Sequence, residues 1–190
     1  MKILKRILPL AFVAIASTAE ADFLEAIQMS PKAHKQLEIS ESSGTITGTY
    51  KSKDNGFFAA ISGGNKSAAA ELGPYWKQGR WNLMATEKMA VPYEGNPSLT
   101  TGMRVTEFYG PFSIDAGGFY TIKDGPDTVA VRVTPGFKTG SVRSGVEYTN
   151  TNGKSSANAI VRYDGKINGV PWNLVGAYGK DKVVKIRFDF

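Results

Sequence analysis

The chain of 190 residues contains no cysteine. That excludes a disulfide framework and any thiolate metal site, so stability must come from a core, a hydrogen-bonded ladder or a lipid environment. There is one histidine, His34, with only Ser30 and Ser40 near it in sequence, which is an unspecific signal for nucleophilic catalysis. After the first residues, no run approaches the ~20 apolar residues of a spanning helix, which excludes a helical membrane protein. Phosphate-loop chemistry is missing too. Gly63-Gly64-Asn65-Lys66-Ser67 lacks the first glycine at the required spacing. Asp124-Gly125-Pro126-Asp127 offers two carboxylates, far short of a calcium cage, and reads as a turn. No catalytic set, no metal and no cofactor are expected.

The N-terminus has a recognisable pattern. Lys2, Lys5 and Arg6 precede a short apolar run from Ile7 to Ala16, and Ala19-Glu20-Ala21 forms an A-x-A site. Residues 1–21 therefore read as a cleaved signal peptide. The net charge is +6; removing residues 1–21 takes away three bases and one acid and leaves +4. A balance this small does not argue for nucleic acid, and export argues against it. Residues 22–34 are the least strand-like part, with Phe23, Leu24 and Ile27 able to share a helical face that Pro31 ends. They are expected to form a separate periplasmic segment, either a short helix or a loose tail.

From Lys35 onward the chain reads as strand, turn, strand. Candidate strands cover 35–41, 44–52, 56–64, 67–77, 80–91, 101–109, 113–122, 128–137, 141–149, 157–165, 171–179 and 182–190. Gly, Asn and Asp punctuate them, as in Gln78-Gly79, Thr139-Gly140, Asn152-Gly153 and Asn168-Gly169, and supply the positive φ of tight hairpins. Alternation is clean in the second half: Val129, Val131 and Val133 on one face, Arg132 on the other; Val161 beside Arg162. Glu87 and Glu107 break the pattern by falling on the apolar face, and each is expected at an interface or beside a bulge. In Phe57 to Ile61 both faces are apolar and the register is open.

The last strand is the sharpest signal. Val184, Ile186, Phe188 and Phe190 alternate with Lys185, Arg187 and Asp189. This resembles the C-terminal signature of Gram-negative outer-membrane β-barrels, in which an alternating final strand closing on Phe is read by the barrel assembly machinery. The resemblance implies an antiparallel up-and-down transmembrane β-barrel over residues 35–190. Twelve strands are self-consistent; ten or eight result if 35–52 is not two strands or neighbouring segments merge. The apolar face then meets outer-membrane lipid and the polar face lines the lumen. Longer connections fall on the outer side, among them 92–100 and 150–156, with the turn around 166–170 an exception on the periplasmic side.

Gly56-Phe57-Phe58-Ala59-Ala60-Ile61-Ser62-Gly63-Gly64-Asn65, followed by Glu71-Leu72-Gly73-Pro74-Tyr75-Trp76, is similar to the outer-membrane family labelled Gcw_chp. The strand number and basic lumen resemble those of the twelve-stranded oligogalacturonate and sialic-acid porins. What these resemblances imply is a small passive channel or a structural membrane protein. The expected lumen residues are Arg132, Arg143, Glu147, Arg162, Asp164, Lys185, Arg187 and Asp189. Their excess of bases would favour small anionic solutes, unless the lumen is packed shut by internal ion pairs. Two alternatives stand beside this: a lipid-modifying barrel enzyme, which would have to use His34, and a soluble periplasmic barrel with a lipophilic ligand.

Overall fold

A computed structural model describes residues 35–40, 44–52, 55–180 and 182–190. The expected signal peptide of residues 1–21 and the expected periplasmic segment of residues 22–34, His34 included, lie outside them. Twelve strands follow in order: β1 (Lys35–Ser40), β2 (Thr45–Lys51), β3 (Gly56–Gly63), β4 (Ser67–Gln78), β5 (Trp81–Pro92), β6 (Ser98–Tyr109), β7 (Phe112–Ile122), β8 (Thr128–Thr139), β9 (Val142–Thr151), β10 (Lys154–Ile167), β11 (Val170–Gly179) and β12 (Val183–Asp189). Each pairs antiparallel with its chain neighbours, and β1 pairs with β12, so the sheet closes into a barrel. No helix occurs among the described residues.

The strands are all-antiparallel because short turns join them. Asn152-Gly153 and Asn168-Gly169 each have two consecutive positive φ values, the geometry whose twist suits a two-residue hairpin. These two turns correct two expected loops. The 150–156 connection shrinks to two residues because β9 and β10 run on through it, and the 166–170 turn is equally tight. The 92–100 loop also shortens, since β6 begins at Ser98. Lys35 and Phe190 share one rim, here called the terminal rim, where each backbone N–H donates to the other's carbonyl at 3.1 and 2.8 Å.

Burial is inverted relative to a soluble barrel. The buried side chains are mostly polar or charged, whereas Leu72, Met103, Val131, Val161 and Leu174 are among the exposed large apolar ones. Such a wall is stable only against hydrocarbon, and closure leaves no unpaired strand edge there. The open register of 56–61 resolves, with Phe57 and Ile61 outward and Phe58 buried inside. Outward aromatics mark the two ends of the apolar band. Trp76, Trp81, Phe112, Phe137, Tyr163 and Trp172 ring the terminal rim; on the far side the outward aromatics are Tyr93, Tyr120, Tyr148 and Tyr178. At the same rim three aromatic pairs touch, with centroids 5.6 Å (Tyr50–Phe57), 5.1 Å (Phe112–Phe137) and 5.8 Å (Tyr163–Trp172) apart.

Glu107 lies two residues from the end of β6 and pairs with Arg80 at 2.7 Å, under a guanidinium that also covers Tyr109. It sits at the interface, as expected. Glu87 does not. Its pairing with Thr101 lies in an unbroken run, and the β4 ladder, which skips Gly73 and Pro74 just beyond Leu72, resumes at Tyr75 opposite Met84 in the same register, so there is no bulge; Glu87 stands six residues from both Trp81 and Tyr93. The carboxylate is exposed on the middle of the outward face.

Candidate functional site

The inward face carries the chemistry. Period-two alternation puts every second residue of a strand inside, so an acid and a base on neighbouring strands meet across the ladder. Glu38 of β1 lies directly opposite Arg187 of β12 and bonds its Nε; Lys185 Nζ reaches the same carboxylate at 2.9 Å. Gln36 donates to Asp189 Oδ1 at 2.7 Å one step nearer the terminal rim. The closing seam is thus fixed inside by Glu38 with Arg187 and Lys185 and by Gln36 with Asp189, and outside by Leu37 against Phe188 and Ile39 against Ile186.

A second group spans β6 to β10. Arg104 Nε bonds Asp115 Oδ1 at 2.6 Å, and Thr106 donates to the other carboxylate oxygen at 3.1 Å. Arg132 Nη1 donates to Glu147 Oε2 at 3.1 Å, with Asn158 donating to Oε1 at 3.4 Å. Arg104 and Arg132 lie in one cross-strand row with Gly117 between them. The glycines have a reason: the Phe119 ring lies along the inner wall, and a Cβ on Gly102 or Gly117 would come within 2.3 or 2.7 Å of it. The Arg132 guanidinium sits 5.6 Å from that ring's centroid. Nearer the terminal rim, Arg162 Nε bonds Asp164 at 2.5 Å, and Arg143 lies 5.3 Å from the Phe108 ring and donates to Ser113.

The third sector is apolar. Phe58, Tyr75 and Met84 cluster inside β3–β5, with the Tyr75 hydroxyl donating to Asn82 at 3.2 Å and Lys51 5.5 Å from the ring centroid. Thr86 donates to Glu71 at 2.6 Å beside it.

Burying charge is costly unless it is paired, and these pairs supply the partners. Pairing does not use every donor. Arg104 Nη1 and Nη2, Arg132 Nη2 and Arg143 Nε are buried and have no hydrogen-bond partner among the described residues. A guanidinium keeps its charge and offers a planar fork of N–H groups that matches a carboxylate or phosphate. What this wall can do chemically is hold an anion.

Of the expected lumen residues, Arg132, Glu147, Lys185, Arg187 and Asp189 are buried, while Arg143, Arg162 and Asp164 are half-buried nearer the terminal rim. They fall into two groups, the seam and the β8–β10 wall, rather than one site. Val184 and Phe190 are exposed on the outward side, with Ile186 and Phe188 half-buried beside them. Sequence reasoning missed Glu38, Lys51, Lys88, Arg104 and Asp115. The signal was present: Glu38 stands between Leu37 and Ile39, Arg104 between Met103 and Val105, and Asp115 between Ile114 and Ala116.

No family model matches the chain, so the likeness of 56–76 to the Gcw_chp family gains no support. No curated protein sequence matches either. Solved structures do. The KdgM porin in complex with disordered oligogalacturonate is 9% identical, with a TM-score of 0.56 over 82% of this chain and 97% of that one. The KdgM porin without that ligand gives 9% and 0.55, and the NanC porin 6% and 0.53, over 82% of this chain and 97% and 96% of theirs. At such identities the match speaks for architecture alone, and the chain has the fold of the twelve-stranded oligosaccharide porins.

Proposed function

We propose that the chain is an outer-membrane channel that passes small solutes and favours anions, a passage rather than an enzyme. The observation that carries the anion preference is the set of buried guanidinium nitrogens on Arg104, Arg132 and Arg143 that no described residue accepts from. The charge balance of the buried and half-buried inward groups agrees. Lys51, Lys77, Lys88, Arg104, Arg132, Arg143, Arg162, Lys185 and Arg187 outnumber Glu38, Glu71, Asp115, Glu147, Asp164 and Asp189 by three. Low-dielectric walls amplify such an excess inside a narrow passage. The oligogalacturonate of the KdgM complex is a sugar acid, the class of solute that this wall would recognise.

A second reading has its own observation. Glu38, Arg104, Arg132 and Arg187 are nearly inaccessible and ion-paired, which supports a lumen packed shut and a structural role. Planar-bilayer recording of the refolded protein separates the two. The channel reading expects a small anion-preferring conductance whose selectivity fades as salt screens the lumen. Arg104→Gln with Arg132→Gln, which strips the bases from Asp115 and Glu147, should turn the preference toward cations. No conductance from heat-modifiable protein would select the packed lumen, and cation preference in the parent would overturn the anion reading.

A further inference from the structure

Glu87 is a carboxylate in the middle of a surface that otherwise suits hydrocarbon. It has no hydrogen bond or ion pair among the described residues. Neither the interface nor the bulge expected from alternation is found at Glu87, so its position needs another account. Ionisable groups at membrane depth are retained where a protein partner covers them. Its cross-strand neighbour on β6 is Thr101, also outward and exposed. A carboxylate accepts hydrogen bonds and a hydroxyl donates one.

We propose that the outward patch around Glu87 and Thr101 is the interface of a two-fold dimer within the membrane. The occupant is a second copy of this chain. A two-fold axis parallel to the barrel axis and passing between β5 and β6 exchanges the two sides of that line. Because Glu87 and Thr101 are paired directly across it, Glu87 of each copy then meets Thr101 of the other, twice over. The patch is self-complementary without any new group. The next pair along, Ala85 and Met103, is shifted sideways by the strand tilt but stays inside the same contact, where it packs beside the axis. A partner bearing a base could neutralise Glu87 too, but Thr101 beside it supplies the donor that a second copy needs. The inference rests on the outward face being in lipid.

The test uses the lack of native cysteine. Ala85→Cys protein and Met103→Cys protein, mixed in the same liposomes and oxidised with copper phenanthroline, should give a disulfide-linked band of twice the mass; with one cysteine per copy, the disulfide that these directly paired positions would close within one chain cannot form. Val161→Cys, across the barrel, should not. Adding Glu87→Leu should lower the cross-linked fraction at least fivefold while heat-modifiable migration persists, and Glu87→Gln, which still accepts a hydrogen bond, should restore most of it. Cross-linking no better than the Val161→Cys control in heat-modifiable protein would overturn the dimer. So would a dimer indifferent to Glu87→Leu, or a cross-link in intact cells to a chain of different mass. Loss of heat-modifiable migration in the parent would instead overturn the membrane reading itself, and the dimer with it.

Discussion

The seam between β1 and β12 offers the sharpest energetic test. Glu38 faces both Arg187 and Lys185, and all three side chains are buried. Glu38→Ala removes the acceptor and leaves two cations facing each other in a low-dielectric lumen. Breaking a buried pair by deleting one partner costs about 3–5 kcal/mol, most of it from the stranded charge. The seam has little to spare, because β1 is six residues long and β12 seven. Gln36 donates to Asp189 in the same seam. Urea unfolding of the barrel in lipid, followed by tryptophan emission, should show a loss of that size. The triple replacement Glu38→Leu, Lys185→Met and Arg187→Met removes the desolvated charges together and should recover all but ~1–2 kcal/mol. A loss below about 1 kcal/mol for Glu38→Ala would refute the seam argument. So would a triple variant as unstable as the single, because the charges would then not be the cause.

Three further outcomes are expected. Val161→Arg places a base on the exposed outward face and should cost ~2–4 kcal/mol, more than Arg162→Ala, whose partner Asp164 keeps Lys138 at 3.8 Å; the reverse order in urea titrations would mean the apolar face is not in lipid. Deleting Phe190 removes both backbone bonds to Lys35 and should lower the yield of heat-modifiable protein, whereas an unchanged yield would deny it a role in closure. Gly73→Ala drives a Cβ to 1.9 Å from the Ala85 carbonyl oxygen and should cost ~1–3 kcal/mol, while Gly176→Ala, with open space around it, should cost under 1; equal costs, read by the same unfolding assay, would show that the wall at Gly73 can yield.

The architecture was readable because a half-buried strand states its period in its own residues. Val129 to Val133 and Val184 to Phe190 needed no partner to show which side faced out. The strand count came with it, since the turns announced themselves as Gly or Asn where φ must be positive. Strand ends were less legible: Asn150 to Ser156 is rich in loop-forming residues, yet two positive φ values at Asn152 and Gly153 let the ladder continue almost to the turn. The lumen was only half readable. Arg132 and Arg187 were named, but Glu38 was not, because its importance comes from a strand some 150 residues away that closure brings beside it. Glu87 shows the opposite failure. Its side was evident from alternation, but its depth depends on where Trp81 and Tyr93 fall, which no local pattern encodes.

The uneven aromatic belt has an optical consequence. All three tryptophans, Trp76, Trp81 and Trp172, lie toward the terminal rim, while the outward aromatics at the far end are tyrosines. Intrinsic emission excited at the red edge therefore reports on one leaflet only. Brominated lipids confined to that leaflet should quench it strongly, and the same lipids in the opposite leaflet should leave it nearly untouched. An asymmetric vesicle thus turns the protein into its own compass, and the sign of the quenching tells which way the barrel points without any label.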